Sequence, residues 1–194
     1  MKNNLGKSWC ILAITLSGFA VGSALSVENG IDFEDVSQEL RGWSATAPDA
    51  NNKLEYRIAA KWDKPFSFVI ESEKPHSGSS ALKIDVTEEI PGMLSFGPAV
   101  IPATGEVEIR FYVRNQGLNE EGMLSFDEYD SGNKRINPKW AAAKIPLSEE
   151  WTEVSWTGRF QEAAAGVRLR FIFKSVPAGA KIWIDDILVK SVGN

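Results

Sequence analysis

Two carboxylates stand side by side near the end of this 194-residue chain, inside the apolar run Ile182-Trp183-Ile184-Asp185-Asp186-Ile187-Leu188-Val189. A packed protein interior does not hold such charge unpaired, because an isolated buried ion costs several kcal/mol or more. The pair therefore implies a hard cation, or a bulge that turns both groups to solvent. Calcium is the cation to consider: it takes roughly six to eight oxygen ligands, mixing carboxylates with backbone carbonyls. An acidic strand end facing a Ser/Gly loop suits it, and His76-Ser77-Gly78-Ser79-Ser80 is such a loop.

A second chemistry lies in the aromatic residues. Sugar rings present apolar C–H faces that stack on flat side chains, while their hydroxyls need fixed donors and acceptors alongside. Tyr112 and Tyr129, flanked by Arg110, Arg114 and Asp127, supply both kinds of group at outward positions. Trp140, after Asn137-Pro138-Lys139, and Trp62, after Lys61, are placed in loops at the rim of such a surface. Trp43, Trp151 and Trp156 are assigned to the core. His76 is the sole histidine, so neither a histidine-based triad nor a multi-histidine zinc site is available, and a loop role is expected. Asp127, Glu128 and Asp130 offer carboxylates for glycoside hydrolysis, which needs two of them across a cleft. Adjacent strand residues point to opposite faces, so Asp127 and Glu128 do not make that pair. These acids read as a solvated strand end.

The elements that must position these groups are strands. Alternating segments at 55–60, 66–71, 81–87, 107–114, 123–129, 152–160, 167–174 and 182–189 are separated by turn signals, with no helical period of useful length. The pattern predicts an all-β sandwich. Parity puts Val107, Ile109, Phe111 and Val113 inward, and likewise Val167, Leu169, Phe171 and Phe173. Only 140–143 and 162–165 hint at helix, each about one turn. Consecutive strands of a jelly roll can belong to different sheets, so the outward sets are not assigned to one surface.

Residues 1–26 read as a secretory signal peptide: Lys2 and Lys7 precede an apolar run that ends in Ala24-Leu25-Ser26. The expectation is one domain over 27–194, secreted to the periplasm or the extracellular space. The only cysteine, Cys10, falls inside the leader, so the exported domain would carry no disulfide. The chain has 21 Lys+Arg against 26 Asp+Glu, a net charge of −5. That balance argues against nucleic acid or strongly anionic polymers as the main partner, although a local basic face can coexist with an acidic total.

The segments Asn29-Gly30-Ile31-Asp32-Phe33-Glu34, Gly42-Trp43, His76-Ser77-Gly78-Ser79-Ser80-Ala81-Leu82 and Trp183-Ile184-Asp185-Asp186-Ile187 resemble the motifs of jelly-roll carbohydrate-binding modules of the galactose-binding-like superfamily. The resemblance implies a β-sandwich jelly roll. It also implies a structural calcium where the first strand, the His-Ser-Gly loop and the last strand meet, held by Glu34, Ser77 to Ser80, and Asp185 or Asp186. Asp32 is displaced by one residue from the family spacing because Ile31 is extra. The alternative is a solvated bulge at Asp185 and Asp186, with Glu34 paired to a lysine. The expected function is non-catalytic polysaccharide binding by a secreted monomer that uses no nucleic acid and no membrane span. An adhesion domain that binds protein and a small polysaccharide-active enzyme are the competing readings.

Overall fold

The structure is a computed structural model that describes residues 28–34, 40, 42–48, 53–58 and 62–192; the leader expected at 1–26 lies outside them. It is all β. Thirteen strands run β1 (Glu28–Ile31), β2 (Ser44–Pro48), β3 (Leu54–Ile58), β4 (Phe66–Glu71), β5 (Ala81–Val86), β6 (Ile90–Gly97), β7 (Ile101–Pro102), β8 (Glu106–Gln116), β9 (Gly122–Tyr129), β10 (Arg135–Ile145), β11 (Thr152–Arg159), β12 (Gly166–Val176) and β13 (Lys181–Val192). The first sheet has the order β11-β8-β13-β5-β4, with β1 also on β13; the second has β10-β9-β12-β6-β2-β3, with β7 on β12. All pairings are antiparallel.

Alternation in the sequence decides which faces meet. Val107, Ile109, Phe111 and Val113 of β8 are fully buried, as are Val167, Leu169 and Phe171 of β12. The rings of Phe111 and Phe171 meet edge to face at 4.9 Å, which joins the inner faces of the two sheets. Trp43 stacks on the same Phe171 at 6.2 Å, and Trp156 of β11 meets Phe126 of β9 at 4.7 Å. Burying these rings supplies the main driving force, each worth on the order of 2 to 3 kcal/mol.

One close approach fixes the relation between β6 and β12. A Cβ on Gly97 would stand 2.1 Å from the Leu169 carbonyl oxygen, which is backbone and has no room to yield. Gly97→Ala is therefore expected to lower stability by about 1–3 kcal/mol through overpacking, read as a lower urea midpoint at unchanged slope. An unchanged midpoint would mean the strands are further apart than described.

Several expectations change here. Trp140 lies in β10, not in a loop, and the stretch 140–143 is bulged strand, not a turn of helix. The stretch 162–165 is not helix either: the Ala164 amide closes a turn on the Gln161 carbonyl, and the Ala165 amide donates to the Tyr129 carbonyl. Trp62 is only 5% exposed: its ring stacks on Phe66 at 4.6 Å, so it belongs to the core and not to a rim. Trp151 is at the margin of the first sheet, half-buried, with Nε1 donating to the Lys74 carbonyl at 3.1 Å. Asp127 and Glu128 are not solvated; each is 3% exposed.

Candidate functional site

The outer faces of the two sheets divide the aromatic residues into separate groups. Tyr112, Arg110 and Arg114 project from β8 in the first sheet, whereas Asp127 and Tyr129 project from β9 in the second. They do not share a surface.

On the first sheet the aromatic faces are already occupied. His76 lies flat on Tyr112, ring centroids 3.5 Å apart, and the Tyr112 hydroxyl donates to Glu153 at 2.8 Å. That hydrogen bond, with a smaller contribution from burial, raises the tyrosine pKa. Arg114 sits over Trp183 at 4.1 Å and over Trp151 at 5.3 Å. Beside Tyr112 there is an open hollow of about 340 Å³ that Arg110, His76, Asp32 and Asp186 help to line.

The second sheet carries a groove of about 370 Å³. Ser44, Ser95 and Asp127 form its buried floor, and Arg168 and Arg170 rise from β12, two residues apart and so on one side of the strand. Tyr56 of β3 stands at one end, 60% exposed. Its hydroxyl accepts from Arg168 at 3.3 Å, and Arg168 also donates to the Ser44 hydroxyl. Hydrogen bonding with Ser44, and then with Arg168, pulls the Tyr56 pKa down. Tyr129 lines the same groove. Arg170 donates to Asp127 at 2.9 Å, and Arg135 approaches the same carboxylate oxygen at 3.8 Å.

Trp140 stands outside the groove lining, on β10 at the opposite edge of the sheet from β3, and a bulge is what aims it. Lys139 pairs with Phe126 and Ala143 with Leu124, so three residues of β10 oppose Ser125 alone. Ala141 takes up the excess at a positive φ of 49°, and its amide donates to Ser125 Oγ at 3.1 Å. Bulges bend a strand and redirect its side chains. Here the Trp140 ring, 57% exposed, lies over the Arg170 guanidinium at 4.8 Å. Glu128, on the opposite face of β9, is held by Asn137 Nδ2 at 2.6 Å and the Gln161 amide at 2.8 Å. It takes no part in the groove.

The motif carboxylates gather elsewhere, where β13 exchanges one neighbour for another. Lys181 to Ile184 pair with β5, and Ile187 to Lys190 pair with β1. Between these stretches one extra residue bulges out against β8, and Asp186 adopts a positive φ of 47°. The bulge does not turn both acids to solvent: Asp185 is fully buried. The loop after β4 satisfies it instead. Asp185 accepts from the amides of His76 at 2.9 Å, Ser77 at 3.3 Å and Asp186 at 2.8 Å. Burial still pushes its pKa up to about 6, against the lowering effect of those amides. Asp186 accepts from Ser77 Oγ at 2.7 Å and lies 2.6 Å from His76 Nδ1.

Glu34 closes the same clasp from the first segment. It accepts from the Ser79 amide at 2.7 Å, the Ser79 hydroxyl at 2.5 Å and the Ser80 amide at 3.2 Å; the Ser79 bonds hold its carboxyl below the ordinary range. Gly78 is required here, since its φ is +57° and a Cβ would stand 2.2 Å from Glu34 Oε1. Asp32 accepts the Glu34 amide at 3.3 Å. Both oxygens of each of Glu34, Asp185 and Asp186 thus already face N–H or O–H groups. As arranged, the donor set does not fit a calcium shell, which needs convergent oxygen lone pairs. Among the described residues, no three carboxylate, histidine or cysteine side chains are grouped to hold a metal.

No protein-family model matches the chain, and no curated protein matches it. Solved structures do. The CBM22-1 xylan-binding domain from Paenibacillus barcinonensis Xyn10C superposes with a TM-score of 0.54 at 14% identity, over 90% of this chain and 99% of that one. The chain shares the jelly-roll β-sandwich fold of that domain. The CBM22-1-GH10 modules of Clostridium thermocellum xylanase 10B, complexed with xylohexaose, match at TM-score 0.53 and 15% identity, over 83% of this chain and 28% of that one. The enzymatically active domain of bacteriophage CBA120 tailspike protein 4 matches at 0.58 and 14%, over 81% of this chain and 20% of that one. At these identities the likeness is one of fold.

Sequence reasoning placed Tyr129, Asp127 and Trp140 among the ligand candidates, and they fall together on the second sheet. It missed Tyr56, Arg168 and Arg170. Arg168 and Arg170 were visible as outward residues of an alternating strand, but nothing in the sequence pairs β12 with β9 and β2's neighbours. Tyr56 gives no local signal, since only the packing of β3 at the sheet edge puts it beside Arg168.

Proposed function

We propose that this protein is an exported, non-catalytic polysaccharide-binding domain whose ligand lies along the groove of the second sheet. The observation that carries this reading is the groove itself: Tyr56 and Tyr129 line it beside the polar groups of Arg168, Arg170 and Asp127, and Trp140 adds an exposed ring next to Arg170. A sugar chain needs that combination, because ring stacking gives area and the polar groups set orientation. The likeness of the fold to xylan-binding modules supports the same reading. Export rests on the leader-like segment at 1–26.

Affinity electrophoresis of the chain without residues 1–26 against a panel of soluble polysaccharides, run beside a reducing-sugar assay, tests it. Retention by at least one polymer with no release of reducing ends is the expected result. Release of reducing ends would replace binding by catalysis. Absence of retention on every polymer would favour a protein-binding domain.

A further inference from the structure

Resting on that reading, we propose that the ligand of the groove is an anionic polysaccharide, with a uronate carboxylate received by Arg168. Among the described residues lining the groove, three are guanidinium side chains, Arg135, Arg168 and Arg170, and one is a carboxylate, Asp127. Asp127 is shared between Arg170 at 2.9 Å and Arg135 at 3.8 Å. Arg168 stands opposite Asp127 in the β12–β9 register, yet among the described residues the carboxylate is turned to Arg170 and Arg135, and the contacts of Arg168 are the hydroxyls of Ser44, Tyr56 and Tyr129. The groove therefore carries an excess of positive charge in a chain whose net charge is −5.

That imbalance discriminates between ligands. A neutral polymer lying over Arg168 would take water from a half-buried guanidinium and return only hydroxyl contacts, which is costly for an ion. A carboxylate on the sugar would restore the charge balance and accept two parallel N–H bonds from the planar fork, the strongest pairing an arginine makes. The aromatic rings serve either ligand. Arg168, held in place by Ser44 and Tyr56, is the guanidinium left without an ion pair, and the mostly exposed Arg135, 3.8 Å from Asp127, adds to the positive charge around it. The acidic total of the chain repels anions over the rest of the surface, so recognition must be local and sensitive to salt.

The experiment compares polygalacturonate with its methyl ester, which removes the charge and keeps the backbone. A neutral xylan and dextran sulfate complete the set, all at about 50 and 500 mM salt. Polygalacturonate should bind at least about tenfold more tightly than its ester and lose most of that advantage at high salt. Arg168→Gln should abolish the preference, Arg168→Lys should keep part of it, and Lys190→Gln on the first sheet should leave it intact. If Arg168→Gln does not fold, Arg135→Gln, at an exposed side chain, should reduce the preference.

Equal or tighter binding of the ester or the xylan overturns the anionic assignment and leaves polysaccharide binding standing. A preference for dextran sulfate overturns the uronate and leaves only charge. A preference that survives both Arg168→Gln and Arg135→Gln overturns the role given to the groove arginines. No retention of any polymer by the unaltered protein overturns this inference together with the function on which it rests.

Discussion

The double variant Tyr56→Ala/Trp140→Ala is expected to weaken polysaccharide binding by roughly 30- to 100-fold while leaving the melting midpoint almost unchanged. Each ring stacked on a sugar contributes about 1 kcal/mol beyond the area it buries, so loss of two such contacts gives roughly 30-fold, and the lost burial of area raises it toward roughly 100-fold. Both rings are mostly exposed and stand on opposite edge strands of the second sheet, so their removal takes little from the folded state. Calorimetry with a polymer retained by the unaltered protein reads the affinity, and thermal denaturation reads the stability. Tyr112→Ala makes the comparison sharp, because Tyr112 lies on the other sheet under His76. That variant should keep its affinity. Normal binding by the double variant, with loss in Tyr112→Ala, would move the ligand to the first sheet.

The sandwich was legible because strand alternation is local. Val107 to Val113 and Val167 to Phe173 announce their inner faces without knowledge of their neighbours, and both sets are buried as expected. What parity does not carry is which sheet a strand joins. Tyr112 and Tyr129 look alike in sequence, each outward among polar residues, yet they sit on opposite faces of the molecule. Trp62 shows the same limit for loops, since nothing beside it announces that Phe66 will cover its ring. Trp140 was placed in the wrong element: the Ala-rich stretch after it reads as helical, and the bulge at Ala141 is tied to Ser125 on the next strand. At the Asp185-Asp186 pair, the sequence posed a question of charge burial. The structure meets Asp185 with backbone amides, which side-chain identities do not reveal, and Asp186 with the side chains of Ser77 and His76.

The clasp at Asp185 should make stability depend on pH in a direction opposite to that of an ordinary ion-paired acid. Its folded pKa is about 6 against an ordinary value of 3.8, so the folded state holds the proton more tightly than the unfolded chain does. The stability it contributes is therefore complete below pH 3.8 and is lost as pH rises through about 6. The full effect is about 3 kcal/mol, of which about half falls between pH 5 and 8. Glu34, whose pKa is lowered by Ser79, works in the other direction and at more acid pH, so a window that begins at pH 5 largely separates the two. Asp185→Asn isolates the term. The variant cannot ionise, and its amide nitrogen replaces one acceptor facing the His76, Ser77 and Asp186 amides, at a cost of about 1–3 kcal/mol. It should be clearly less stable than the unaltered protein at pH 5, and the gap should narrow by about 1–2 kcal/mol by pH 8. Urea unfolding at both pH values, in chelator and in excess calcium, is the measurement. The chelator and calcium curves should coincide, because every carboxylate oxygen of the clasp already accepts a hydrogen bond. A gap that widens with pH, or a midpoint that falls on chelation, would show that Asp185 is held as an anion by a cation and would return calcium to this end of β13.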